Sequence, residues 1–291
     1  MLTLQFLVTG FLMGGIYALV AVSIVLVYKA TRIFNFAVGD LLAFGGFLFF
    51  SFAVWCKLPP ILALLSTLIV AVFIGALVER LVLRPLLNQP ILTIIMATLA
   101  LSSILNGLMV IIWTAYPRAL PKNILPGKTL MMGSIVISNE LLWALIIAVV
   151  SFIILGFFFM KTRIGLKMRA VSEDHEISMS CGTDITFIFV VTWAIAVIMG
   201  ALSGILIGNR VTLMAGTTPY VGLKAFPAVL FGGLDSIVGA VVGGLAIGII
   251  ENLVGGLIYP PLGEIVSYIL LLFVLILRPE GLFGLKRIER V

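Results

Sequence analysis

The sequence predicts an all-α membrane protein, a polytopic helical bundle of about eight to nine transmembrane elements, some of them short or re-entrant. Three observations carry that prediction. Hydrophobic residues make up 62% of the 291 positions. Charged residues make up 10%, against about 25% in ordinary soluble domains. Mean hydropathy is +1.30. A soluble fold of this size could not cover so much apolar surface, because much of its exterior must meet water. The net charge of +6 does not suggest a nucleic-acid binder, since the basic residues are scattered between apolar runs.

The runs come in this order. Leu2 to Tyr28 is first; no Lys or Arg precedes it and it is too long for the apolar core of a signal peptide, so it is expected to stay as a membrane helix. Leu41 to Cys56, Ile61 to Val78, Ile91 to Trp113, Leu141 to Met160 and Ile185 to Ile207 follow. Ala225 to Leu277 then holds three pieces. Ala225 to Leu234 is too short to span alone, Ile237 to Leu257 is long enough, and Val266 to Leu277 is short unless it starts a few residues earlier. The polar interruptions Thr114 to Glu140 and Lys161 to Asp184 could not fold alone, so 1–291 is read as one membrane domain.

Orientation follows from the basic residues, which favour cytoplasmic loops. With the N-terminus outside, twelve fall inside: Lys29, Arg32, Arg80, Arg84, Lys161, Arg163, Lys167, Arg169, Arg278, Lys286, Arg287 and Arg290. Six fall outside: Lys57, Arg118, Lys122, Lys128, Arg210 and Lys224. The expected topology is therefore N-terminus outside and C-terminus cytoplasmic, which needs an odd number of crossings. Nine elements satisfy it if the Ala225 piece counts as one; seven crossings with a re-entrant pair would too. Cys56 and Cys181 then lie on opposite sides and fit neither a disulfide framework nor a zinc site. The single histidine, His175, excludes a two-histidine metal helix, and no metal site is expected.

Small residues at four-residue spacing (Gly10 and Gly14; Gly200, Gly204 and Gly208; Gly239 and Gly243; Gly244 and Gly248) predict close helix packing. Two other segments place Gly or Pro and a carboxylate beside apolar sequence. One is Asn35-Phe36-Ala37-Val38-Gly39-Asp40, and the other is Gly222 to Ser236 with Ala225, Phe226, Pro227, Gly232, Gly233 and Asp235. Broken helices at membrane depth occur only where protein or a wet cavity covers them, and one such segment in each half of a chain points to a translocation path. Helix capping is the plainer alternative at Asn35, Asp40, Asp235 and Ser236. Glu251 lies deep in an apolar run and is expected to face the bundle interior, either in a structural hydrogen bond or as a functional group; Asn106 in the fourth run is read the same way.

Catalytic chemistry is missing. Gly127-Lys128-Thr129 lacks the upstream glycine of a phosphate-binding loop, since Lys122 stands there. Asp174 and His175 have no hydrolase partners and read as a solvated loop. An active transporter built on this chain would draw its energy from a partner.

The stretch Lys161 to Asp184 holds four basic residues and then a Glu-Asp-x-Glu cluster. It resembles the coupling loop of the permease subunits of bacterial ABC importers for branched-chain amino acids, in which a basic G-x-x-x-R-A run precedes a short helix and a Gly. Gly165, Arg169, Ala170, Glu173, Asp174 and Gly182 fit that pattern, and Ser178 and Thr183 depart from it. The resemblance extends over nearly the whole chain. Gly15 to Leu19 is similar to the family's opening motif, Asn35 to Asp40 to its N-F-A-H-G-E signature with Val38 and Asp40 as departures, and Glu79 to Leu86 to its E-R-x-x-x-R-P-L loop. Gly222 to Ala240 and Leu277 to Gly284 are similar to its G-x-K-A-F and R-P-x-G-L-F-G stretches.

The resemblance implies a non-enzymatic transport subunit that forms part of the pathway for aliphatic amino acids in a bacterial inner membrane. The implied partners are a second related permease, as a homo- or heterodimer, two cytoplasmic ATPases that bind ATP and magnesium, and a periplasmic or extracellular solute-binding protein. The chain itself would need no cofactor. Asn35, Phe36, Gly39, Asp40, Ala225, Phe226, Pro227, Gly232, Gly233 and Glu251 are the candidate pathway residues, with Asn35–Asp40 as the wall facing Ala225–Gly233. Two alternatives stay open: the same fold carrying urea, short amides or another small polar solute, and an ATPase-independent channel or secondary transporter with Glu251 as an ion or proton site.

Overall fold

The computed structural model describes residues 2–284 except 87–88, 122–123, 126, 128 and 133–134. Lys122, Lys128, Lys286, Arg287 and Arg290 of the charge tally lie outside the described residues. Among the described residues, eight helices are long and apolar enough to cross a membrane. They are α1 (Leu2–Thr31), α2 (Val38–Phe50, continued by a π-helical turn Ser51–Trp55), α3 (Pro60–Val78, continued through Glu79–Leu83 to Leu86) and α4 (Ile91–Trp113), then α5 (Asn139–Lys161), α8 (Ile185–Arg210), α11 (Ile237–Leu257) and α12 (Pro260–Leu277). Short helices α6 (Arg163–Glu173), α7 (His175–Ser180), α9 (Thr218–Leu223) and α10 (Ala225–Gly232) fill the connections. A small antiparallel hairpin, β1 (Leu130–Met132) with β2 (Ile135–Ile137), precedes α5. The chain is thus a multi-pass helical membrane protein. The last run starts at Pro260, six residues before the apolar stretch at Val266, because prolines fit the first turn of a helix, where the missing N–H has no partner to lose.

Helix starts follow local chemistry. Thr162, Asp174, Asp184 and Ser236 each accept a backbone N–H from the first turn of α6, α7, α8 and α11. α3 and α4 begin just after Pro59 and Pro90.

The chain divides into two compact units. The first comprises the described residues of Met1–Val25, Leu125–Ala148 and Lys224–Val291. Here the predicted glycine spacing brings backbones together. Gly10 meets Gly248 and Ile249, and Gly14 meets Gly244 and Leu245, so α1 and α11 are antiparallel. Gly263 of α12 lies against Gly255 and the Glu251 carbonyl, so α12 is antiparallel to α11 as well. α1 and α12 therefore start at the same end of this unit and run the same way. α10 folds back on α11, with Gly232 against Gly239 and Ala228 against Gly243. The C-terminal turn closes on the α10–α11 helical hairpin: Leu282 and Phe283 donate to the carbonyls of Phe231 and Gly232, each at 3.0 Å.

The second unit comprises Leu26–Ile124 and Val149–Leu223. Two apolar clusters mark the two ends of α8. At one end Ile205 packs with Phe47 and Phe50 of α2, Ala63 of α3, Met109 and Trp113 of α4, and Leu213. At the other, Ile188 and Phe189 pack with Met168 and Val171 of α6 and with Phe158 and Phe159 of α5. The end of α1 joins this second cluster's side, where His175 Nε2 hydrogen-bonds the Ala30 carbonyl at 3.0 Å. After α8 the chain turns back. Leu213 pairs with Arg118 beside the first cluster, yet Pro219 and Gly222 lie against Gly39 at the start of α2. The short piece read from Ala225 to Leu234 is the single helix α10, and a further short helix, α9, precedes it in the other unit, with the break at Lys224.

Candidate functional site

The first interrupted segment becomes a tight entry to α2. Asn35 does not cap the helix. Its Oδ1 accepts the N–H of Ala37 at 3.0 Å, an Asx turn that sends the chain into Val38. Asp40 does not cap it either. It is 4% exposed and accepts a hydrogen bond from the Ser102 hydroxyl of α4 at 2.5 Å. One turn further along α4, Asn106 donates to the Ala215 carbonyl at 2.8 Å and so holds the returning 211–223 stretch. A Cβ at Gly39 would run into the Pro219 carbonyl, so the glycine is what lets α9 lie on α2.

Between α2, α4 and α9 lies a cavity of about 560 Å³, within the range of roughly 300–1,000 Å³ usual for small-molecule sites. Phe36, Leu99, Pro219, Tyr220 and Leu223 give it apolar walls, and Asp40, Ser102, Ser103 and Asn106 give it one polar side. No lysine or arginine is among its described lining residues. A buried carboxylate is tolerated when hydrogen-bonded, and Ser102 supplies that bond.

The second interrupted segment is built differently. Ala225, Pro227, Gly232 and Gly233 are buried and Phe226 is half-buried. Gly233 has φ +105°, where a side chain is strained, and a Cβ there would also meet the backbone of Gly284. Ser236 caps α11, as the plainer reading of the sequence had it. Lys224 pairs with Glu264 of α12 at 2.6 Å. Glu251 is half-buried on α11. Asn35–Asp40 thus belong to one unit, and Ala225–Gly233 and Glu251 to the other.

The 161–184 stretch is two helices rather than one. The basic run lies within α6, and Asp174 ends α6 while its carboxylate caps α7. Gly165 is buried because a Cβ would strike the backbone of Phe158 and Phe159, which fixes the sharp α5–α6 turn. Met168, Val171 and Ser172 face inward. Arg169, Ala170, Glu173 and Asp174 face outward beside the exposed apolar side chains Leu166, Ile177 and Met179. Gly182, at φ +75°, ends the pair in open space.

Residues 6–275 match the family described as the branched-chain amino acid transport system permease component. The chain belongs to this permease family. Full-length relatives agree. The high-affinity branched-chain amino acid transport system permease protein BraD of Pseudomonas aeruginosa is 29% identical over 304 residues, covering 99% of this chain and 98% of BraD. The corresponding permease protein LivH of Escherichia coli is 29% identical over 308 residues, covering 99% and 97%. A protein described as the probable branched-chain amino acid transport permease LivH of Methanocaldococcus jannaschii is 27% identical over 306 residues, covering 96% and 92%. No solved structure matches.

The permease sequence held more of this site than the interrupted segments alone. Ser102, Ser103 and Asn106 are polar residues inside an apolar run. Ser102 and Asn106 are four apart and so share a helix face. That spacing was the available signal for the polar side of the cavity. Tyr220 and Pro219 could be placed there only through the fold.

Proposed function

We propose that the chain is the membrane-embedded subunit of an ATP-driven importer for branched-chain amino acids, working with a second permease, two ATPases and an external solute-binding protein. The observation that carries this reading is the family match over residues 6–275, joined by relatives named for that transport that align end to end. The proposed home is a bacterial inner membrane, with the N-terminus outside and the C-terminus cytoplasmic. Two features support that topology. α1 and α12 start at the same end of their unit, which suits termini on opposite faces. The short helices of the 211–236 stretch, broken at Lys224, are the proposed ninth crossing, one of the two ways to reach the odd number that the charge bias calls for.

In this reading ATP-driven movement of the partners switches the subunit between outward- and inward-facing states. Motion enters at α6–α7, whose outer face carries Arg169, Ala170, Glu173 and Asp174, with Gly165 and Gly182 setting the turns at either end. ATP and magnesium are held by the ATPases. The cavity beside Asp40 is part of the route. Ala225–Gly233 and Glu251 form the framework of the second part.

The test is uptake of labelled leucine by cells that lack the chain, complemented by the wild type or by Glu173→Lys with Asp174→Lys. The wild type should restore uptake. The double variant should insert, retain ATP hydrolysis in membranes and fail to transport. Restoration by an ATPase-deficient background would favour a self-sufficient channel and remove the importer reading.

A further inference from the structure

We propose that the cavity between α2, α4 and α9 is a binding site for a primary ammonium group carried on a small aliphatic body. The inference deepens the transport reading and rests on it for the identity of the natural solute. The chemistry of the lining selects the ligand. Asp40 is 4% exposed, it lines the open volume, and one of its carboxylate oxygens is engaged by Ser102. A carboxylate has about four acceptor positions on its two oxygens, so it keeps acceptors for an N⁺–H donor. Such charge-assisted hydrogen bonds are roughly twice as strong as neutral ones. Ser103 and Asn106 stand on the same side of the cavity and add a hydroxyl and an amide oxygen as further acceptors. With no lysine or arginine among the described lining residues, the site offers no cation to a carboxylate on the ligand, and the Asp40 charge would repel it. Phe36, Leu99 and Leu223 supply walls for a branched hydrocarbon body. The site thus reads the amino end of the solute and its apolar side chain, and leaves the acid end unpaired.

The ligand is tested with three compounds that share an isobutyl side chain: L-leucine, 3-methylbutylamine, which lacks the carboxylate, and 4-methylpentanoate, which lacks the amine. Equilibrium binding is measured on the purified chain in lipid nanodiscs. The amine should compete with labelled leucine and the acid should not. Asp40→Asn should weaken both amine ligands about tenfold or more, and Ser102→Ala about threefold, in keeping with the strength of charge-assisted bonds. Asp40→Glu should keep most of the affinity. A readout independent of leucine uses the thiol of a Ser103→Cys variant in a background lacking Cys56 and Cys181. An ethylammonium thiosulfonate should react with it faster than the ethylsulfonate analogue, and Asp40→Asn should abolish that preference. Equal competition by the acid, or an unchanged reagent preference in Asp40→Asn, would overturn the site. If cells lacking the chain import leucine normally while the amine still binds in an Asp40-dependent way, the transport reading fails and the site stands. If import depends on the chain but not on Asp40, the transport reading stands and the site fails.

Discussion

At the entry to α2, Gly39 admits the Pro219 carbonyl, and the next residue, Asp40, meets a hydroxyl-bearing helix and an open cavity. In the α10–α11 hairpin, Gly232 admits the backbone of Gly239, and Gly233 admits that of Gly284. Both regions combine glycine, an apolar helix and a nearby carboxylate. In the hairpin the close approach ends in backbone against backbone. At α2 the glycine holds a neighbouring segment at a distance where α4 can place Ser102 and Asn106 around a void. What separates a packing glycine from a site-forming one is therefore the partner across the contact, and that partner comes from elsewhere in the chain.

The largest effect that would test this contrast is expected at Gly232. A Cβ there has no room before the Gly239 carbonyl, and valine adds two more atoms. Gly232→Val should cost roughly 3 kcal/mol or more, the upper range for overpacking. It should lower both the membrane level and the melting temperature of the detergent-solubilised protein. Gly255→Val is the control. Its nearest neighbour is the Pro260 carbonyl at 3.5 Å from an added Cβ, an ordinary contact. It should stay within about 1 kcal/mol of the wild type. Equal melting of the two variants would mean that the hairpin is not closed as described.

Gly39→Ala should come next, at about 1–3 kcal/mol, because α9 must move off α2 to make room. Its signature is different in kind. Displacing Pro219 should change the rate at which the Ser103→Cys thiol is modified, while Gly255→Val should leave that rate alone. Destabilisation without any change in thiol reactivity would show that Gly39 is a packing glycine like Gly232, and the contrast would collapse.

The helical class, the order of the spans and the glycine contacts were legible because each rests on local pattern: run length, four-residue spacing, a serine before an apolar run. Ile237–Leu257 was placed to the residue, helped by Ser236 before it. Three features were not legible. The turn after α8 depends on Leu213 and Pro219 finding partners at opposite ends of α2, a tertiary fact. Asp40 and Asn35 resemble caps from their neighbours in sequence; Asn35 instead accepts the Ala37 N–H in a local turn, and Asp40 is claimed by Ser102 of α4, some sixty positions away. The π-helical turn at Glu79–Leu83 holds Glu79 buried against Arg84 at 3.0 Å, and nothing in the local pattern distinguishes that from a solvated charge pair.

The smallest effects concern how the hairpin is pinned at its ends. Ser236→Ala removes the side-chain acceptor for Gly239 N–H, so it should cost about 1 kcal/mol, the usual worth of an N-cap. The Lys224–Glu264 pair should matter less. Its distance is short at 2.6 Å, but the Glu264 side chain is 61% exposed and that of Lys224 is 31% exposed. Exposed pairs yield roughly 0.2–1 kcal/mol, since water competes for both charges and ordering two side chains costs entropy. Glu264→Gln should therefore lower the melting temperature less than Ser236→Ala does. The difference from the wild type should also shrink in about 1 M salt, where the screening length falls to about 3 Å. A drop that exceeds that of Ser236→Ala and survives high salt would mean the pair is shielded from water by lipid. The α9–α10 break at Lys224 would then be held by electrostatics, and the hairpin, like the α2 entry, would depend on a carboxylate paired across helices.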